Sequence, residues 1–266
     1  MRPVVALLTD FGVRDHYAGT MKGVVLSICP ETTLVDISHD VPPHDVLSAA
    51  LELAASYRFF PPGTVFLVVV DPGVGSSRRP IAAEAGDYRF VAPDNGVLSA
   101  VFKEMAPRRV VELTERRFAR PTVSRTFEGR DRFAPAAGWL AKGTEVKALG
   151  RTLTDYVRLT IADPVVTDRA VQGEVLRVDR FGNLITNIDR RSVDRLGRLG
   201  EMTVEIRAGE HRVGRLVTTY SEITTGEVCS LFGSTEHLEV AANSASAAET
   251  FGLGRGAAVT VTRVEP

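Results

Sequence analysis

The strongest constraint on the fold is an alternation of short apolar runs with helical patterns, which continues to Asp163 and then stops. Residues 4–8 and 64–70 are continuous apolar runs typical of buried strands, and Tyr17–Ile28 has apolar residues at helical spacing. Parallel strands need crossover helices of this kind between them. The alternation therefore predicts a three-layer α/β domain with a mostly parallel sheet over residues 1–163.

The remainder of the chain, residues 164–266, has a different pattern. Its apolar runs are separated by Gly, Asn and Asp, which favour tight turns. Six runs predict strands: residues 171–178, 202–207, 212–218, 228–232, 238–240 and 258–264. Short strands joined by tight turns are typical of small antiparallel sheets, so we expect a small all-β, barrel-like second domain.

Composition limits the partners and the compartment. The 32 basic and 33 acidic residues give a net charge of -1, so no overall positive field attracts nucleic acid. No segment reaches the roughly 18 apolar residues of a membrane-spanning helix, and residues 4–8 are too short for the core of a signal peptide. Cys29 and Cys229 have no C-x-x-C partner, which favours reduced thiols. We expect a soluble, cytoplasmic protein with neither nucleic-acid nor membrane partners.

Three acid-bearing, glycine-containing turns follow predicted strands. They carry Asp10, Asp71 and Asp94. Ligands of α/β sheets bind outside the carboxyl ends of the strands, so three such turns on one edge predict a polar pocket. Each turn taken alone has a simpler explanation, because Asp, Asn and Gly are also what turns and helix caps require.

Several familiar site motifs are absent from the sequence. No G-x-x-x-x-G-K-[ST] loop occurs, which argues against a P-loop nucleotide hydrolase, and residues 73–78 lack the third glycine of a dinucleotide fingerprint. The five histidines show no metal-ligand spacing. The sequence therefore predicts no metal site and supports no Ser-His-Asp arrangement.

A set of longer motifs extends almost from end to end. They occur in this order: Leu8-Thr9-Asp10-Phe11-Gly12, Met21-Lys22-Gly23, Val70-Asp71-Pro72-Gly73-Val74-Gly75, Ala92-Pro93-Asp94-Asn95-Gly96, Phe127-Glu128-Gly129-Arg130-Asp131, Asp179-Arg180-Phe181-Gly182-Asn183, Thr186-Asn187 and Asn243-Ser244-Ala245-Ser246-Ala247-Ala248. Together they resemble the S-adenosylmethionine (SAM) hydroxide adenosyltransferases, or SAM hydrolases, which are related to fluorinase and chlorinase.

The resemblance implies a reaction and an assembly. It implies cleavage of SAM by water at the ribose C5′, giving adenosine and L-methionine, with SAM as substrate and neither a metal nor an organic cofactor. It also implies a homotrimer in which residues 164–266 complete the site of a neighbouring subunit.

The resemblance also assigns a catalytic group. Asp71 and Arg78 match two members of the family's water-activating group, whereas Glu128 replaces the family's histidine. This glutamate has three alternative roles: it accepts a proton from water, it pairs with Arg78, or it points away from the site.

The substrate-binding residues follow from the same resemblance. Asp10 matches the residue that accepts both ribose hydroxyls, with Phe11 beside it; its alternative role is a helix cap. Asp179, Phe181 and Asn183 match the stretch that meets the methionine end and the ribose, although a hairpin turn explains them as well. Five further residues match, more loosely, the family positions that contact the adenine: Tyr220, Phe232, Ser234, Glu236 and Ala242. The alternative role of the two aromatic residues is packing in the hydrophobic core.

Two other functions remain open at this point. A halide adenosyltransferase is favoured only by Gly129, a small residue in a conceivable halide pocket. Asp71 and Glu128 oppose it, because each anion at about 4 Å repels a halide by roughly 4 kcal/mol before screening. The other alternative is a sensor that binds SAM or adenosine without turnover, since the family histidine is replaced.

Overall fold

The computed structural model of the chain describes residues 2–199 and 201–264. The chain divides into two units, Met1–Thr160 and Ile161–Pro266. The boundary that the sequence predicts, between residues 163 and 164, lies three residues further along the chain. Among the described residues, no helix is both long and apolar enough to cross a bilayer.

The first unit contains a seven-stranded mixed sheet with the strand order β2-β1-β3-β5-β4-β6-β7. Its strands are β1 (Val4–Thr9), β2 (Thr33–Ser38), β3 (Val65–Val69), β4 (Pro80–Ala85), β5 (Tyr88–Pro93), β6 (Pro107–Glu112) and β7 (Arg151–Thr152). The β1/β2, β1/β3 and β3/β5 pairs are parallel, and the other three pairs are antiparallel. The prediction of a mostly parallel sheet is therefore right for one half of the sheet and wrong for the other.

The antiparallel half arises from β4, a strand that the sequence analysis does not predict. Its sequence, PIAAEA, is rich in Ala and Glu, which are depleted in strands. It forms a hairpin with β5 across the two residues Gly86 and Asp87, with Ala85 opposite Tyr88. Gly86 has a φ of +51°, a conformation that such two-residue turns require.

Four helices accompany this sheet: α1 (Tyr17–Ile28), α2 (Val46–Ser56), α3 (Ser99–Glu104) and α4 (Ala134–Ala141). Helix α2 starts at a capped end, where Asp45 Oδ1 accepts a hydrogen bond from the Ser48 amide. Helices α1 and α4 contact each other, as do α2 and α3. That these pairs cover opposite faces of the sheet, which would make three layers, stays a prediction. A π-helical turn, Gly129–Phe133, leads directly into α4.

The second unit contains an antiparallel sheet around its own apolar core. Its strands are β8 (Val165–Val166), β9 (Ala170–Val178), β10 (Leu184–Asp189), β11 (Thr203–Ala208), β12 (His211–Arg212), β13 (Val228–Phe232), β14 (His237–Ala242) and β15 (Ala258–Val264). Two short helices interrupt the strands, α5 (Arg190–Asp194) and α6 (Ala247–Phe251). The all-β expectation fits, although β10 is not predicted. The strand expected over residues 212–218 is wrong except at its first residue, because β12 covers His211–Arg212.

Candidate active site

The candidate site lies at the carboxyl ends of β1 and β3. These neighbouring strands are parallel, and Thr9 stands opposite Val69 in the register. Asp10 follows Thr9 directly, and Asp71 follows Val69 by two residues. The sheet therefore delivers both carboxylates to the same edge, as the strand-end argument predicts.

Asp71, Arg78 and Glu128 form one ion-paired cluster, which we call the carboxylate–arginine cluster. Arg78 Nε lies 2.9 Å from both Oδ1 and Oδ2 of Asp71, and its Nη2 donates to Asp71 Oδ2 and to Glu128 Oε2. The side chains of Asp71, Arg78 and Glu128 are 5%, 9% and 13% exposed, so the charges are largely removed from water. The structure brings all three predicted catalytic residues together and excludes the alternative in which Glu128 points away.

The charges of the cluster change the pKa of Arg78. Burial alone would lower the pKa of its guanidinium, but the hydrogen bonds and negative charges of Asp71 and Glu128 outweigh burial and raise that pKa. The guanidinium also lies over the ring of Phe133, 5.1 Å from its centroid. Arg78 is thus a fixed cation that both carboxylates share.

The chain reaches this arrangement through a tight glycine turn after β3. Gly75 has a φ of +76°, and a Cβ at this position would lie 2.5 Å from the carbonyl oxygen of Arg125. Only glycine permits so close an approach of the two backbones. The turn between Asp71 and Arg78 therefore packs against the segment that carries Glu128.

Asp10 and Phe11 lie beside the cluster. Asp10 Oδ2 accepts a hydrogen bond of 2.8 Å from the His44 amide, whose residue has a φ of +68°. Phe11 packs edge-on against Phe127, with 6.3 Å between ring centroids, and Phe127 precedes Glu128 in the chain. Asp10 is partly exposed and caps no helix: α1 begins seven residues later at Tyr17 and has no side-chain cap.

His39 supports the Asp10 turn and is not identified by the sequence analysis. Its Nδ1 lies 2.8 Å from Thr9 Oγ1, its Nε2 lies 3.0 Å from Asp36 Oδ1, and its carbonyl accepts from the Gly12 amide at 2.7 Å. His39 is 7% exposed. His39 therefore fixes both ends of the turn that presents Asp10, the Thr9 end with its imidazole and the Gly12 end with its backbone carbonyl. No spacing rule connects residues 9, 36 and 39, because only the pairing of β1 with β2 brings them together.

Asp94, on the third acid-bearing turn, has a structural role instead. It is 4% exposed, and its Oδ1 accepts from the Val157 amide while its Oδ2 accepts from Arg79 Nε, each at 2.8 Å. Its oxygens are occupied in anchoring the segment around Val157. The contribution of the Asp94 carboxylate to one pocket with Asp10 and Asp71 stays a prediction.

Gly129 does not leave space for a halide. A Cβ at this buried position would lie 2.8 Å from Met21 Sδ and 3.3 Å from Phe127 Cε2, so neighbouring side chains already fill the volume. The expected electrostatic repulsion of a halide is itself reduced, since Asp71 and Glu128 both face arginines. The packing at Gly129 is the stronger structural argument against a halide pocket there.

Three predicted residues of the second unit, Asp179, Phe181 and Asn183, lie on the turn between β9 and β10. Asp179 Oδ1 accepts from the amides of Phe181 and Asn183, and its Oδ2 accepts from Asn183 Nδ2 at 2.9 Å. This closed turn agrees with the hairpin alternative, yet it leaves the Phe181 side chain 76% exposed. Asn183 is 5% exposed.

Tyr220, which is exposed, pairs with the buried Glu239, a contact that the sequence did not reveal. Its hydroxyl donates to Glu239 Oε2 at 3.1 Å. Burial, followed by the charge of Glu239, raises the pKa of Tyr220 to about 12. Burial also raises the pKa of Glu239, with Asp179 contributing in the same direction.

The remaining predicted residues lie on and around the β13–β14 hairpin. Phe232 is half-buried against the core, with the Arg190 guanidinium 4.3 Å from its ring centroid. Ser234 and Glu236 are exposed on the hairpin turn, and Ala242 is 6% exposed in the core. The side chain of Ala242 is thus unavailable, which leaves only its backbone for a ligand.

No group of three or more His, Cys, Asp or Glu side chains in residues 2–199 and 201–264 has an arrangement that could hold a metal ion.

Comparisons with known proteins identify the family. The model of the SAM hydroxide adenosyltransferase N-terminal domain matches residues 5–150, and that of the C-terminal domain matches residues 173–260. A protein of Thermus thermophilus named (R)-S-adenosyl-L-methionine hydrolase is 38% identical over 96% of this chain and 98% of its own length. A fluorinase of Actinoplanes sp. is 29% identical over 98% of both chains.

The solved structures agree with the sequence relatives. The crystal structure of an uncharacterised conserved protein from Thermotoga maritima superimposes with a TM-score of 0.91 at 36% identity, covering 97% of this chain and all of that one. The matched domains together span most of the chain and include the carboxylate–arginine cluster and the turn at Asp179. This chain belongs to the SAM hydroxide adenosyltransferase family.

Proposed function

We propose that this protein is an enzyme that hydrolyses SAM to adenosine and L-methionine by attack of water at the ribose C5′. The observation that carries the proposal is the buried carboxylate–arginine cluster, whose Asp71 follows β3, next to Asp10, which follows the neighbouring parallel strand β1. Proteins named (R)-S-adenosyl-L-methionine hydrolase, 36–38% identical over nearly the whole chain, support it.

The proposed reaction is a direct displacement. The water oxygen forms a bond to C5′ while the C5′–S bond breaks. The electron pair of the C5′–S bond stays on sulfur and gives the neutral thioether of methionine. A neutral leaving group needs no protonation. The demand on the protein is therefore to position one water molecule and to take up the proton that this water loses.

We assign the residues from their position and contacts. Asp71 is the proton acceptor, because it follows β3, the strand beside the one that presents Asp10, and its two-pronged pair with Arg78 holds it in orientation. Asp10 accepts the ribose hydroxyls, and the His44 amide and the His39 support fix its turn. Glu128 contacts two different arginines, Arg78 and Arg132, with one oxygen each, so we assign it to holding the Arg78 guanidinium.

We further propose that the enzyme is a homotrimer in which the second unit completes the site of a neighbouring subunit. The exposed ring of Phe181 beside Asp179 and Asn183 supports this, as do the exposed Ser234 and Glu236. Tyr220, Phe232 and the Ala242 backbone belong to the same proposed surface. Light scattering of the purified protein should give a mass of three chains, and a stable monomer would refute the shared site.

Two further parts of the proposal concern location and cofactors. Cys29 and Cys229 are both free and buried, which suits the reducing cytoplasm. The displacement as written needs no oxidant, reductant or Lewis acid, because its leaving group is already neutral.

Incubation with SAM tests the proposed function directly. We expect adenosine and methionine in equal amounts, with or without added chloride or fluoride, as measured by liquid chromatography and mass spectrometry. The (R) and (S) sulfonium epimers should be assayed separately, since the names of the relatives specify (R). A 5′-halonucleoside would instead indicate halide transfer, and intact SAM bound stoichiometrically would indicate a sensor.

A further inference from the structure

Glu128 is held by two arginines, not one. Its Oε2 accepts from Arg78 Nη2. Its Oε1 lies 3.2 Å from Nε of Arg132 in a charge contact rather than a hydrogen bond, because that nitrogen has no hydrogen-bond partner among the described residues. Arg132 is four residues along the chain and lies within the π-helical turn Gly129–Phe133, which begins directly after Glu128. The Glu128 carboxylate therefore bridges two guanidiniums with one oxygen each.

Arg132 balances the charge of the cluster. Asp71 and Glu128 carry two negative charges, whereas Arg78 alone supplies one positive charge. An uncompensated charge in so buried a cluster is unfavourable. Arg132 brings the total to zero, and it contacts the Glu128 oxygen that Arg78 does not contact.

The two carboxylates also compete for the same nitrogen. Arg78 Nη2 donates to both Asp71 Oδ2 and Glu128 Oε2. A glutamate free of its second partner could turn both oxygens towards Arg78 and weaken the two-pronged contact with Asp71. The Arg132 contact restrains Glu128 to a single oxygen on Arg78.

We infer that Arg132 is a positioning residue of this active site: by holding one oxygen of Glu128, it keeps Arg78 paired with Asp71. The Glu128–Arg132 pair acts as one neutral unit at the position where the family resemblance has a histidine. This inference rests on the proposed SAM hydrolysis. It further implies that Glu128 and Arg132 depend on each other, so that losing one is worse than losing both.

A double-mutant cycle tests the dependence. We expect Arg132→Gln to lower kcat for SAM hydrolysis by about 10-fold with little change in KM, and Glu128→Gln/Arg132→Gln to recover most of that loss. Arg132→Lys, which keeps the charge, should remain within about 3-fold of the wild type. Arg117→Gln is the matched control, since Arg117 is 69% exposed and pairs only with Glu115 among the described salt bridges.

The outcomes separate this inference from the proposed function. If the wild type leaves SAM intact, the proposed function fails. If the wild type hydrolyses SAM and Arg132→Gln matches it, only the role of Arg132 fails. Urea unfolding of the same proteins checks the pair without turnover: we expect a lower midpoint for Arg132→Gln than for the double variant. If the midpoint shifts of Glu128→Gln and of Arg132→Gln, each measured alone, add up to the shift of the double variant, the mutual dependence of Glu128 and Arg132 is overturned.

Discussion

Asp71→Asn is expected to lower kcat for SAM hydrolysis by about 100- to 10,000-fold, the usual contribution of a general base. The substitution keeps the size of the side chain but removes the charge that would take up the water proton. It also places an amide donor against the Arg78 guanidinium, where two carboxylate oxygens now accept. Single-turnover and steady-state assays with saturating SAM measure the effect on kcat.

The control for Asp71→Asn is Glu112→Gln. Glu112 also pairs with an arginine, Arg151, but the pair lies on β6 and β7, outside the candidate site. This variant should keep wild-type kcat. Urea unfolding of both variants separates a catalytic loss from a folding defect. A well-folded Asp71→Asn enzyme within about 3-fold of the wild type would remove Asp71 from the role of general base.

Arg78→Met is expected to lower the free energy of unfolding by about 3–5 kcal/mol, as when a buried ion pair loses one partner. Methionine fills a similar volume, yet it leaves Asp71 and Glu128 as buried anions with only Arg132 nearby. Asp71 and Glu128 are 5% and 13% exposed, so solvent screens them little. Urea unfolding of the wild type and the variant at neutral pH measures the difference.

The pH dependence of that difference has a defined sign. The folded protein raises the pKa of Arg78 above its unfolded value, so the stabilisation is present below the unfolded value and is lost only as pH rises through the folded one. Since the ordinary pKa of an arginine side chain is already far above neutral pH, the contribution should be constant from neutral pH to about pH 10.

The control for Arg78→Met is Arg151→Met, which removes an arginine from an exposed pair. Arg151 is 69% exposed, so we expect a loss of no more than about 1 kcal/mol. Equal losses in the two variants would contradict the buried cluster.

The sequence predicts the parallel half of the first sheet well because its strands are strongly apolar and separated by periodic helices. The same criterion misses β4, whose Ala-rich sequence has no strand signature of its own. The Gly86–Asp87 pair between β4 and β5 is a two-residue hairpin signal that would have revealed it. Strand β10 is missed for a different reason, because its sequence, LITNID, contains Asn187 and Asp189, and Asn and Asp are depleted in strands.

The candidate site is predictable where motif residues lie at strand ends and unpredictable where distant residues meet. Asp10 and Asp71 follow from the strand-end rule, and the resemblance adds Arg78 and Glu128. The Arg132 contact with Glu128 has i,i+4 spacing, but that spacing is common among exposed charges and indicates no site by itself. The support of Thr9 by His39 depends on strand pairing, which the sequence alone does not specify.

The most direct test of the central claim is SAM turnover in ¹⁸O-labelled water, with the position of the label determined by mass spectrometry. Displacement at C5′ by water predicts one ¹⁸O atom in the 5′-hydroxyl of adenosine and none in methionine. Unlabelled adenosine would contradict attack by solvent water, and 5′-methylthioadenosine together with labelled homoserine would contradict cleavage at C5′. Either result would require a mechanism other than the one that Asp71 and Arg78 are proposed to support.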